Sequence, residues 1–315
     1  MAGGVLVVGS INMDIVVVAP RIPAPNEYLH ARGFKMVIGG KGANQAVASH
    51  RLGNPTRLLA RVGADDLGEL LIEKLEGDGV SASLIKSTPG ATTGVALIVV
   101  EEGTGANTIV VDPGANRSLE VADLDALDDC YNGAGTALFQ LEIPVEVSRE
   151  AARRARERGV MSILDSGPAR RADISAVGDF DVVSPNEPEL AALTGMPVND
   201  VAAAAEAAAV LLDAGVCMVA VKMGGSGAVL VERDKAWHVP PYRVRCVDST
   251  GAGDAFTAGL AYALGAGMEP VKAVEFANAA GAVAVTSVGT EPSMPTRAQV
   301  EELMGSQIVE VAKLR

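Results

Sequence analysis

The stretch Cys246-Val-Asp-Ser-Thr-Gly-Ala-Gly-Asp-Ala-Phe-Thr-Ala-Gly-Leu260 decides how this chain is read. An apolar run ends at Val247, Asp248 to Thr250 follow, and Gly251-Ala252-Gly253 leads into Asp254 and a helix pattern rich in small residues. Glycines just ahead of a helix let its first backbone amides approach an anion closely, at the positive end of the helix dipole. A carboxylate at such a mouth would repel a phosphate. Its presence makes sense if it takes a proton from the group that attacks the phosphate. The plainer alternative is a strand, a turn and a helix with an acidic first turn.

Outward from this stretch, the second half of the chain is regular. Periodicity predicts helices near 120–128, 146–158, 187–194, 200–214, 252–265, 270–284 and 296–304. Strands are expected at 136–141, 160–165, 181–184, 216–222, 227–232 and near 244–247. Such alternation implies a mostly parallel, doubly wound sheet flanked by helices. Toward the N-terminus, Val5–Val8 is an all-apolar run that suits a buried parallel strand, followed at once by Asn12 and Asp14. Glu142 ends another strand and Asn186 follows a third, and open parallel sheets place ligand groups at these ends. Gly39-Gly-Lys-Gly-Ala-Asn-Gln-Ala46 opens a helix that stops at Gly53, so Lys41 and Asn44 share its first turn. A strand is predicted over 56–62 and a helix over 66–76. Four further β runs, 15–18, 28–38, 94–100 and 107–111, fall outside the alternation, the last two joined by a turn over 101–106. They are read as a small separate sheet, a lid formed by about 12–38 and 93–111, on a single domain spanning 1–315.

Composition narrows the function. The chain has 315 residues, 49% of them hydrophobic, which provides for a large core, and a net charge of −13, which disfavours nucleic-acid and anionic-membrane partners. A nucleotide is still admissible, because backbone amides and Mg²⁺ can hold its phosphates. The three cysteines have no metal-type spacing and read as thiols in a reducing compartment. No signal peptide or membrane span is visible, and a cytoplasmic location is expected. The first strand is not followed by Gly-x-Gly-x-x-Gly, so the fingerprint of a dinucleotide-dependent oxidoreductase is missing.

Gly39–Ala46 and Asp248–Leu260 resemble the two signatures of the PfkB carbohydrate kinases, and Gly9-Ser-Ile-Asn-Met-Asp14 is most similar to the ribokinase group of that family. The resemblance runs from residue 5 to about 304. It implies a ribokinase-like α/β fold and ATP-dependent phosphorylation of D-ribose at O5. By position, it implies Asp254 as catalytic base and Gly251, Ala252 and Gly253 as the anion hole. Asn12, Asp14, Gly40, Lys41, Asn44 and Glu142 fall at sugar-binding positions, with Ile98 and Val111 as apolar lid contacts. Asn186 and Glu189, from the Asn-x-x-Glu motif associated with Mg²⁺ and phosphates, together with Lys222, Gly224, Gly227 and Asn278, fall at nucleotide-binding positions. Asp248, Thr250, Val285, Val288, Thr290 and Ser293 fall where a monovalent cation, K⁺, is bound. A homodimer through the lid sheets is implied as well. Two departures stand out: Ser249 and Ala255 replace common threonines, and Asp165-Ser-Gly-Pro-Ala169 stands where many members have Asn-Pro-Ala-Pro-Ala. Alternatives are a kinase for 2-deoxyribose, a nucleoside or a ketose derivative, and a non-catalytic sugar-binding regulator. The kinase alternatives stay within the same family. The regulator would have no use for Asp254 beside an anion hole.

Overall fold

The computed structural model describes residues 3–103, 106–169 and 174–315; Thr104 and Gly105, in the turn expected over 101–106, lie outside the described residues. In chain order the strands are β1 (Gly4–Val8), β2 (Asn12–Ala19), β3 (Gly33–Gly39), β4 (Thr56–Gly63), β5 (Ile85–Thr88), β6 (Gly94–Glu101), β7 (Asn107–Asp112), β8 (Ala134–Gln140), β9 (Met161–Asp165), β10 (Val182–Ser184), β11 (Met218–Lys222), β12 (Ala228–Glu232), β13 (Lys235–Val239) and β14 (Ala312–Lys313). The helices are α1 (Lys41–Arg51), α2 (Asp66–Gly77), α3 (Val145–Glu157), α4 (Glu187–Thr194), α5 (Val201–Asp213), α6 (Ala252–Gly265), α7 (Pro270–Ala284) and α8 (Arg297–Ser306).

Ten strands form one sheet in the order β14-β13-β12-β11-β10-β9-β8-β1-β4-β5. From β11 to β5 every neighbour is parallel, and β12, β13 and β14 extend the edge antiparallel. The sheet is buried on both faces, as βαβ crossovers require. Val5 and Val7 point into one apolar layer with α1, α2, α6, α7 and α8. Leu6 and Val8 point into the other, with α3, α4 and α5. The small-residue pattern of α6 is explained by its approach to α7. A Cβ on Gly259 would lie 2.9 Å from Ala280 Cβ and 3.1 Å from Ala277 Cα.

The second sheet has four strands in the order β3-β2-β6-β7. β2 pairs in parallel with β6, placing Asn12 beside Gly94 and Val16 beside Ile98. β3 and β7 flank this pair antiparallel. Register puts Asn12, Asp14, Ile98 and Val111 on one face, because alternate residues of a strand share a side.

Three expectations need correction. The run near 244–247 alternates apolar and polar residues like a strand, but its backbone pairs elsewhere: Arg243 bonds through both N and O to the Gln307 amide, and Val247 N donates to Val285 O. The strand in that part of the chain is β13, over Lys235–Val239. The helix near 120–128 is a short 3₁₀ turn over Val121–Leu127, closed by a capping box between Glu120 and Asp123. The strand expected over 28–38 begins only at Gly33.

Candidate active site

The carboxyl ends of the parallel strands converge on Asp254. Asp254 sits in the first turn of α6, whose N-cap Gly251 has φ +80°, a left-handed conformation that glycine adopts without strain. The first amides of a helix lack intrahelical partners, so those of Gly251, Gly253 and Asp254 form a concentrated donor set at the positive end of the dipole, while Ala252 N makes a long bond of 3.3 Å to Ser249 O. The Asp254 carboxylate is 5% exposed and held from the opposite side by α1. Asn44 Nδ2 donates to its Oδ2 at 2.9 Å, Gln45 Nε2 donates to Oδ1 at 3.1 Å, and Lys41 Nζ lies 3.7 Å from Oδ1.

A second carboxylate, Asp165 at the end of β9, lies beneath this pair, fully buried. Lys41 Nζ approaches its Oδ1 at 3.3 Å. Lys222 Nζ, Gln45 Nε2 and Thr257 Oγ1 each donate to its Oδ2 at 3.2 Å. One carboxylate thus anchors both lysines. Burial pushes the Asp254 carboxyl up; Lys41 opposes this and the negative charge of Asp165 adds to it. Burial would also raise Asp165, but the Lys222 and Lys41 ammoniums outweigh it and hold that carboxyl below its ordinary value. For Lys41, burial favours the neutral amine, but Asp165, Asp254, Glu189 and Glu142 prevail and keep it firmly protonated.

On one side of Asp254 lies a polar pocket. Glu142 Oε2 accepts Ser10 Oγ at 2.5 Å and the Lys41 amide at 3.0 Å, which fixes it at the start of α1. Asp14 is buried on β2, beside Gly39, and its carboxyl is pushed up to about 7 by burial first and then by the charges of Glu142 and Asp254. Gly40, φ +83°, packs against the backbone of Ile11 and Asn12 so closely that a Cβ would lie 2.9 Å from Asn12 N. Asn12, Asp14, Gly40, Lys41, Asn44, Glu142 and Asp254 therefore come together, with Ile98 and Val111 on the same face of the small sheet as Asn12.

On the other side lies a cleft of about 720 Å³. Asn186, Glu189, Lys222, Gly224, Gly227 and Asn278 all line it, as do Gly251, Ala252, Gly253 and Asp254. Asn186 also caps α4, accepting from Glu189 N, while Glu189 Oε2 accepts from Asn186 N. Asn186 thus both caps α4 and lines the cleft. Farther along, Asp248 ties two loops together: Oδ1 accepts Thr250 N and Oγ1, and Oδ2 accepts Gly289 N at 2.9 Å. This brings Asp248 and Thr250 beside the segment carrying Val285, Val288, Thr290 and Ser293. Burial works to raise the Asp248 carboxyl, but these hydrogen bonds outweigh it and hold it low.

Asp165, Gln45 and Asn116 organise the site and were not singled out from sequence as site residues. Asp165 carried a signal, an acid at the carboxyl end of an apolar strand, like Glu142. Gln45 is a polar residue on the buried side of α1, where Gln140 Nε2 donates to its Oε1 at 2.7 Å.

A doubly wound sheet, an aspartate at a glycine-capped helix start and a polar pocket under a small β sheet define a sugar kinase. The chain belongs to the pfkB family of carbohydrate kinases, whose model matches residues 3–297. A deoxyribokinase of Salmonella typhimurium is 36% identical over 305 residues, covering 95% of this chain and 98% of its own length. A ribokinase of Arabidopsis thaliana is 37% identical over 308 residues, 95% of this chain and 80% of its own. The solved structure of Arabidopsis thaliana ribokinase complexed with ribose and ATP superposes with a TM-score of 0.87 at 35% identity, covering 96% of this chain and 99% of that one. The fold is ribokinase-like. Among the described residues, no helix is long and apolar enough to cross a membrane.

Proposed function

We propose that this protein transfers the γ-phosphoryl group of ATP to O5 of D-ribose, giving D-ribose 5-phosphate. The observation that carries the reading is the position of Asp254, which closes the polar pocket and lines the cleft. A hydroxyl in the pocket and a phosphate at the start of α6 would meet at this one carboxylate. Asp254, raised by burial, takes the proton from the attacking hydroxyl. The amides of Gly251, Ala252 and Gly253 hold the charge that develops on the transferred group. Asn12, Asp14, Gly40, Lys41, Asn44 and Glu142 supply the paired donors and acceptors that a polyol needs. Asn44 Oδ1 is buried without a partner among the described residues, an acceptor that suits a hydroxyl donor. Ile98 and Val111 cover the sugar's apolar face, and the small sheet acts as a lid that keeps out water, the competing acceptor.

The residues present fit the two cations differently. Among the described residues, no three His, Cys, Asp or Glu side chains are arranged to hold a metal ion. That suits Mg²⁺ carried by the nucleotide, with Glu189 offering one carboxylate and the Asn186 side chain nearby. When bound, Mg²⁺ would neutralise phosphate charge, while Lys222 and the glycines at 224 and 227 hold the nucleotide and Asn278 borders it. The oxygen-rich loops around Asp248, Thr250, Val285, Val288, Thr290 and Ser293 suit K⁺, which would stiffen the approach to Gly251. Replacing K⁺ by Na⁺ at constant ionic strength should slow turnover, and equal rates would remove the K⁺ assignment.

On the lid face opposite Asn12 and Val111, Phe34, Leu97 and Val110 are half or more exposed. Such apolar area on a small sheet needs cover, and a second copy related by a two-fold axis supplies it most simply. Sedimentation should show a homodimer at micromolar protein; a fully active monomer would overturn this. The chain's acidic character, noted above, gives no reason to add a nucleic-acid or membrane partner, and we place it in the cytoplasm.

A coupled ADP-release assay across ribose, 2-deoxyribose, fructose and adenosine tests the function. The similarity to a deoxyribokinase makes 2-deoxyribose the second reading. Losing one recognised hydroxyl leaves buried polar groups unpaired, at roughly 1–3 kcal/mol. Ribose should therefore exceed 2-deoxyribose in kcat/KM by about 10-fold or more. The reverse order would make the protein a deoxyribose kinase.

A further inference from the structure

We infer that Asn116 is a positioning residue that fixes which end of the Asn12 amide faces the sugar pocket. It stands in the Pro113-Gly-Ala-Asn116 turn after β7 and is 1% exposed. The Ile11 amide donates to Asn116 Oδ1 at 2.9 Å, and Asn116 Nδ2 donates to Ile11 O at 3.0 Å and to Asn12 Oδ1 at 2.8 Å. A backbone N–H can only donate and a carbonyl can only accept. The two Ile11 groups therefore set the orientation of the Asn116 amide without ambiguity. Its Nδ2 faces Asn12, Oδ1 of Asn12 is committed to it, and Asn12 Nδ2 is left as a donor for the pocket.

That donor matters because the pocket is rich in acceptors. Asp14, Glu142 and Asp254 are carboxylates, while Lys41 Nζ and Asn44 Nδ2 are engaged with carboxylates. A sugar hydroxyl that gives its proton to an acid needs a donor on its own oxygen, and Asn12 Nδ2 supplies one. The pair also sits where the lid strands leave the main sheet. Gly94, the first residue of β6, lies beside Asn12, and a Cβ there would meet Asn12 Oδ1 at 2.3 Å and Asn116 Nδ2 at 2.5 Å. The lid is rooted on the same amide pair that aims Asn12.

The inference rests on reading this pocket as a sugar site. Asn116→Asp keeps an acceptor for Ile11 N–H but puts an oxygen where Nδ2 stood. Asn12 then turns its own NH₂ toward it and its oxygen toward the sugar. We expect the sugar KM to rise about 10-fold or more, with the ATP KM within about 3-fold. On an Asn12→Ala background the same change should add nothing further, because the effect runs through Asn12. A sugar KM unchanged in folded Asn116→Asp, or a rise of equal size on the Asn12→Ala background, overturns the inference. Should Asn116→Asp not fold, Asn12→Asp carries the test. It leaves Asn116 donating to one oxygen and turns the other to the pocket, so the sugar KM must rise while Tm stays near the wild-type value; an unchanged KM overturns the proposal. A wild-type enzyme that phosphorylates no sugar would remove the sugar-site reading itself, whereas wild-type turnover with unaffected variants removes only the role of Asn116.

Discussion

The two sides of Asp254 are built from different materials. The side proposed for the sugar is made of side chains: Asn12, Asp14 and Asn44 are buried, Lys41 and Glu142 half-buried, and all but Asp14 are held by partners distant in sequence. The side proposed for the nucleotide leans more on backbone: Gly224, Gly227, Gly251 and Gly253 line it beside side chains that include Lys222, Arg243, Asn186 and Glu189. The ligands explain the contrast. An uncharged polyol is distinguished by where its donors and acceptors lie, which only placed side chains can read. A triphosphate carries charge of one sign, which amides at a helix start can hold without a dense set of basic residues. On the proposed reading, specificity for the sugar rests on electrostatic placement, and affinity for the nucleotide on steric openness.

Asp254 belongs to both sides, so its loss should give the largest effect and split the two least. Asp254→Asn keeps the shape and the Lys41 neighbour but removes the base. Turnover should fall about 10²–10⁴-fold, the usual range for a general base, with KM for both substrates changed little. Near-normal kcat in the purified variant would remove Asp254 from the role and, with it, the point where the two sides meet.

The nucleotide side is tested by adding one methyl group. Gly253 lies in the helix with helical backbone, and a Cβ there would sit 3.6 Å from Lys222 Nζ, an ordinary contact. Gly253→Ala should fold without strain and raise Tm slightly, since alanine favours a helix over glycine by roughly 0.5–1 kcal/mol. If phosphate must approach these amides closely, kcat/KM for ATP should nevertheless fall about 10-fold, with the sugar KM near the wild-type value. A stabilised variant with unimpaired ATP kinetics would show that openness at Gly253 is not needed. Gly251→Ala is the less clean counterpart, because φ +80° strains any side chain and its Cβ would meet Met294 Cε at 2.7 Å.

The same contrast decides what was legible in the sequence. The glycines and the residues within the two signatures could be read because a tight turn before a helix leaves a local pattern, and the βα alternation gave the main sheet. Asn116 left no comparable pattern, and the roles of Gln45, inside the first signature, and of Asp165, an acid at a strand end, could not be assigned from theirs. Their partners lie 104 residues away for Asn116–Asn12, 120 for Gln45–Asp165 and 57 for Lys222–Asp165, so their roles exist only after the strands are ordered. The segment near 244–247 misled for the opposite reason. Its local alternation is strand-like, but the neighbours that take its hydrogen bonds are Gln307 and Val285, which the local pattern does not reveal.

The finest test of the comparison is Asp14, where the side proposed for the sugar holds an electrostatic cost of its own. Its carboxyl is raised to about 7, by burial first and then by Glu142 and Asp254. The folded protein therefore keeps a proton that the unfolded chain, with an ordinary aspartate near 3.8, has already released. Stability from this group is lost as pH rises from about 4 to about 7, and above that the full cost of an ionised, buried acid is present. Three units correspond to roughly 4 kcal/mol at most, and relaxation with water entry lowers the figure. Asp14→Asn removes the cost, so the variant should gain Tm relative to wild type at pH 8 and lose that advantage near pH 4.5. Sugar hydroxyls donating to Asp14 favour its charged form, so the wild-type sugar KM should fall as pH rises through about 7. In Asp14→Asn the sugar KM should be higher, by about 10-fold at pH 8, and should lack that step. The ATP KM should carry no such step in either protein. A variant equally destabilised at every pH, or a sugar KM whose pH course matches the wild type, would show that Asp14 neither carries this proton nor reads the sugar.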